Sequence, residues 1–172
     1  EVLRERALFA LGRMCEGSWD LIFELCHSSD ENMVVHTTTA LAKFAMETHN
    51  QMSIFETGGL RGLAPLLSSQ LSAKRAAVLA LANLGLTHNV VQKAIVMDRS
   101  FLHILVSFLP GQDIILVDNT LLLFSRMIVP LAALLVTNEG MAEPACSAIS
   151  FLARQSREGQ AQLLGIGVDR LL

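Results

Sequence analysis

Self-similarity constrains this chain more than any single motif does, because a segment recurring at a fixed interval must pack on copies of itself. Four pentads superpose: Ala10-Leu11-Gly12-Arg13-Met14, Ala40-Leu41-Ala42-Lys43-Phe44, Ala80-Leu81-Ala82-Asn83-Leu84 and Leu123-Phe124-Ser125-Arg126-Met127. A fifth, Ala148-Ile149-Ser150-Phe151-Leu152, fits more loosely. Each closes a stretch with apolar residues at i, i+3, i+4 and i+7, which predicts a helix of about 12 to 16 residues. In Ala73 to Leu86 the leucines are interleaved with Ala76, Ala77, Ala80 and Ala82, and such small side chains let a neighbouring helix approach closely.

A shorter apolar segment recurs ahead of the long ones: Leu60 to Leu67, Phe101 to Leu109, Ile128 to Leu135 and, as a fourth copy, Trp19 to Cys26. Before two of these stands a still shorter segment, Asn50 to Glu56 and Asn89 to Met97, and Gly159 to Gly165 begins a third. Turn signals punctuate the series at Thr57-Gly58-Gly59, Met97-Asp98-Arg99 and Gly165-Ile166-Gly167. Polar breaks at Ser28 to Asn32, Ser68-Ser69-Gln70 and Thr137-Asn138-Glu139 supply helix caps between the second and third segments.

A unit of short, medium and long helix repeating about every 40 residues is the arrangement of an α-solenoid. Gly59-Leu60 with Leu63, Leu66 and Leu67, followed by Ala77 to Leu84, resembles the armadillo repeat nearly position for position, and Ile128-Val129-Pro130-Leu131 with Leu134-Leu135 is similar to its second helix. HEAT repeats compete less well, being built from two helices. The resemblance implies an all-α, right-handed solenoid of three-helix repeats, four to five in number with partial terminal ones, spanning residues 1–172 as a single domain.

One spacing breaks the regularity. About 16 residues separate Phe44 from Leu60, and as many separate Leu84 from Phe101, room enough for the short first helix. Only four residues lie between Met14 and Trp19, and none between Met127 and Ile128. An uninterrupted helix from Asp118 to Leu135 would bury Pro130 in its interior at a cost of about 3 kcal/mol. The spacing therefore implies residues missing from the sequence near 14–19 and 127–128. No signal peptide precedes Glu1, and the chain starts within a helical pattern, so it reads as an interior fragment of a longer array.

Composition narrows the function classes. Apolar residues make up 52% and charged residues 17%, against roughly 25% charged in an average soluble protein. An elongated fold with so little charge is expected to have part of its surface covered by a partner. A net charge of −3 argues against a general affinity for nucleic acid or anionic membrane. Cys15, Cys26 and Cys146, odd in number and set in apolar segments, read as buried reduced thiols, which favours an intracellular setting, cytoplasmic or nuclear. The most lipid-like stretch, Leu121 to Val136, is interrupted by Arg126 and Pro130 and falls short of a membrane span.

No catalytic constellation is present in the pattern. His27, His36, His49, His88 and His103 are scattered over different repeats; His103, within an apolar run, is expected to be a hydrogen-bonded core residue. Cys26-His27 are adjacent and point apart on a helix, so they make no metal site, and Gly165-Ile166-Gly167 follows a helix where a dinucleotide loop would follow a strand. Neither a cofactor, a metal, nor a small-molecule substrate is expected, and no enzymatic activity.

The armadillo resemblance places a ligand groove along the third helices, gripped by a ladder of asparagines near their ends. The matching positions are Arg13, Lys43, Asn83 and Arg126, with Phe151 in the loose fifth copy, and only Asn83 keeps the asparagine. Four residues earlier, where importin-like members carry tryptophan, stand Phe9, Thr39, Leu79 and Leu122. A ladder of Arg13, Lys43 and Arg126 suits an acidic or phosphorylated extended segment, as in catenin-like grooves. The same cations also compensate helix dipoles, so the pattern is equally open to a purely structural role. The resulting expectation is a non-catalytic protein-interaction scaffold, a subunit of a larger assembly; the alternatives are a regulatory module restraining an enzyme domain outside this chain, or a chromatin-associated subunit.

Overall fold

The computed structural model describes residues 19–137, 139–155 and 157–166. Every regular element among them is helical, and the chain separates into two compact units that part between His88 and Asn89.

The first unit carries α1 (Asp20–Cys26), α2 (Glu31–Phe44), α3 (Thr48–Glu56), α4 (Gly59–Leu63) continuing as a 3-10 turn (Ala64–Ser68), and α5 (Leu71–Leu84). Helix α2 starts where Asp30 accepts the amides of Asn32 and Met33 at 2.9 and 3.3 Å, a cap that contributes about 1 kcal/mol. The expected single helix from Leu60 to Leu67 divides in two because Pro65 has no N–H to donate to the carbonyl of Arg61, and the chain tightens into i→i+3 geometry. Two glycines set the entry to α4. Gly58 adopts φ 90°, a left-handed conformation that costs other residues strain. A Cβ on Gly59 would lie 2.6 Å from the Ile54 carbonyl oxygen.

The core of this unit is the face that α2 and α5 share. Ala40, Leu41 and Ala42 are buried on α2, as are Ala73, Ala77, Ala80, Leu81 and Leu84 on α5. At the other side Trp19 is buried, donates from Nε1 to the Ser53 hydroxyl at 2.8 Å, and sets its ring 5.8 Å from that of Phe44. Apolar burial thus ties α1 to α2 while one hydrogen bond satisfies the indole.

The second unit carries α6 (Asn89–Met97), α7 (Arg99–Phe108), α8 (Ile114–Arg126), α9 (Ile128–Thr137), α10 (Glu139–Gln155) and α11 (Arg157–Gly165). Asp98 caps α7 through Ser100 and Phe101, and Asp113 caps α8 through Leu116. Helix α10 is packed against α9, α7 and α8, burying Ala145, Ala148, Ile149 and Leu152. Between α8 and α9 the direction changes by 71° over one residue. Met127 makes that corner: its amide donates to Phe124, and its carbonyl accepts from Leu131, both at 3.0 Å. Pro130 consequently falls in the first turn of α9, where its missing N–H has no helical acceptor to serve. Pro144 does sit inside α10 and leaves the Gly140 carbonyl without its helical donor. No single helix among the described residues is long and apolar enough to cross a membrane.

Candidate functional site

In the first unit the ladder positions lie on α2 and α5. Thr39 is half-buried, its hydroxyl donating to the Val35 carbonyl at 2.7 Å, and Lys43 is exposed. Leu79 is half-buried, and Asn83 is buried, its Nδ2 donating to the carbonyl of Ala42 at 2.8 Å. Asn83 therefore reaches across to the residue preceding Lys43, and the structure brings these two ladder positions side by side. Helical spacing extends the same face to Asn32 and His36 on α2 and to Ser72 and Ala76 on α5. Neither row contains a carboxylate; the only ionic side chain in them is Lys43.

The second unit places Leu122, 37% exposed, and Arg126, half-buried, one turn apart on α8. Burial lowers the Arg126 guanidinium pKa. Phe151 is half-buried on α10. Arg13 and Phe9 lie outside the described residues.

Three residues escaped the sequence reading. Met46 and Leu86 stand three positions past Lys43 and Asn83, and they are 61% and 43% exposed. Both occupy turns, where the helical period used to find the ladder has already ended, so only aligning the turns themselves would have exposed them. The third is Gln51 of α3, fully buried, whose Nε2 donates to the Ala45 carbonyl at 3.0 Å and whose Oε1 accepts from Thr87 at 2.6 Å. A lone glutamine in a short helix gives no sequence signal of such a role.

Two expectations about other polar residues are settled differently. His103 is exposed and takes a contact from Arg99 at 3.5 Å, so it is not a core residue. It sits on α7 opposite the buried Leu105 and Phe101 side, where the apolar run around it had hidden the amphipathic period. Cys26 is buried as expected, and burial pushes its thiol up to about 11 against a smaller opposing pull from the Thr38 hydroxyl. Cys146 is only half-buried, and Cys15 lies outside the described residues. Among the described residues no three His, Cys, Asp or Glu side chains are grouped to hold a metal ion.

No protein-family model and no curated protein matches the sequence. Solved structures do. A designed armadillo repeat protein named YIII(Dq)4CqI is similar over 97% of this chain and 83% of its own, with a TM-score of 0.60 at 20% identity. The chain has an armadillo-repeat fold. Computationally designed armadillo repeat proteins for modular peptide recognition are similar over 87% of this chain and 71% of theirs, with a TM-score of 0.58 at 21% identity. A third designed armadillo protein, solved in complex with the peptide (KR)4, covers 87% of this chain and 70% of its own, with a TM-score of 0.58 at 20% identity. The armadillo fold thus accounts for the helix order, short, medium and long.

Proposed function

We propose that this armadillo chain is a non-catalytic scaffold that holds an extended, acidic or phosphorylated segment of a partner protein along its third helices, as a subunit of a larger assembly. The observation that carries the reading is the exposed Lys43 beside Asn83, on α2 and α5 rows that carry no carboxylate within the two helices. A cation on such a face attracts an anionic ligand and repels a basic one, the reverse of what a (KR)4 peptide requires. Arg126 supplies a second cation in the other unit, and its planar fork suits a carboxylate or phosphate. A low charged fraction, 17%, and apolar side chains left exposed, such as Ile114 and Val136, support the assembly role.

The test is fluorescence anisotropy with labelled peptides of equal length: Asp/Glu-rich, phosphoserine-containing and Lys/Arg-rich. The anionic peptides bind the wild-type chain and weaken with added salt. Lys43→Glu lowers that affinity about tenfold or more, from a lost charge-assisted contact and the repulsion that replaces it. Equal binding of the Lys/Arg-rich peptide, or no change in the variant, overturns the reading.

A further inference from the structure

The turns after the two third helices of the first unit are built alike. Ala45 donates to Leu41 at 2.9 Å and Gly85 to Leu81 at 3.1 Å; Met46 then donates to Lys43, and Leu86 to Asn83, each at 3.1 Å. Each apolar side chain is therefore carried at the same offset from its ladder residue. The two turns are also fastened to one buried group, since Gln51 donates to the carbonyl just before Met46 and accepts from the hydroxyl just after Leu86. Exposed turns ordinarily carry polar residues. Here two large apolar side chains stand out on a backbone that has been fixed in advance, which reduces the ordering cost of binding through them.

We infer that Met46 and Leu86 form a pair of apolar contact points for the same partner segment, which must therefore alternate carboxylates with large apolar side chains. The inference rests on the acidic-segment reading above. Lys43 lies one turn inward from Met46, so a segment crossing here meets a cation and an apolar group together. Glu47 directly follows Met46 and is exposed, so an acid of the ligand is repelled from the turn and only its apolar side chain settles there. Packed helices lie about 8–10 Å apart and an extended chain advances about 3.3 Å per residue. The apolar residues of the ligand accordingly stand about three apart, with an acidic residue between them.

Two acidic peptides of equal length and net charge, one with leucine at every third position and one with serine in its place, are titrated against the whole chain and against Met46→Ser/Leu86→Ser. The leucine peptide is expected to bind the wild type about tenfold tighter than the serine peptide. The double variant removes that advantage and leaves the serine peptide unaffected. Equal binding of both peptides to the wild type, or an equal loss of both in the variant, overturns the inference while the acidic-segment reading stands. Binding of neither peptide overturns both.

Discussion

The side-chain amide of Asn83 donates to the main-chain carbonyl of Ala42 across 2.8 Å, joining the ends of α5 and α2. Both residues are buried, so no water stands ready to replace the bond. Asn83→Ala is expected to lower stability by about 1–3 kcal/mol, the cost of stranding a buried acceptor. Urea unfolding followed by circular dichroism measures it as a lower midpoint with an unchanged slope. Asn83→Asp fares no better, since a carboxylate would face the Ala42 carbonyl.

Cys26 gives the first unit a pH dependence at the alkaline end. Its folded pKa is raised from 9.0 to about 11, chiefly by burial, so the folded state keeps the thiol protonated where the unfolded state ionises it. The contribution is fully present below pH 9 and is lost as pH rises toward 11. A rise of that size corresponds to about 2–3 kcal/mol at most. Cys26→Ala should flatten the decline in melting temperature between those pH values, and the wild-type thiol should react slowly with iodoacetamide until the chain unfolds.

The two glycines entering α4 resist substitution for different reasons. Gly58→Ala meets no atom within 4 Å but forces a Cβ into φ 90°, at about 1–2 kcal/mol. Asparagine, which tolerates the left-handed region, should recover part of that loss. Gly59→Ala instead drives a methyl against the Ile54 carbonyl and its Cγ2, 2.6 and 2.7 Å away, and the backbone of α3 must shift. Chemical denaturation should rank the three as Gly59→Ala most damaging, then Gly58→Ala, then Gly58→Asn.

The helix series was legible in the sequence because each third helix carries its own apolar period; Asp30 and Asp113 cap α2 and α8, whereas the Ser68-Ser69-Gln70 break puts Gln70 at the start of α5 without a side-chain cap. Asn89–Met97 is observed with the limits expected, and Asp30 and Asp98 start their helices as their positions indicate. Boundaries moved where a local cause outranked the period: α5 ends at Leu84, with Gly85 as its cap, and Pro65 divides the second helix of its repeat. The side-by-side placement of Lys43 and Asn83 could be read, since both stand at a fixed place in a repeated pentad. The bond from Asn83 to Ala42 could not be read, because it joins residues 41 apart. Likewise the role of Gln51 depends on two turns meeting in space, and His103 was hidden by apolar neighbours on both sides.

The alanines of α2 and α5 have a mechanical consequence. Ala40, Ala42, Ala73, Ala77 and Ala80 are buried on these two helices, and alanine has no side-chain torsion to change. A seam lined with leucine or methionine could widen or narrow as rotamers exchange. Here alanines outnumber Leu41, Leu81 and Leu84 among the buried residues of the two helices, so fewer rotamers can exchange and the interval from Lys43 to Asn83 behaves as a graduated mark on a ruler: a gauge for whatever is laid across it.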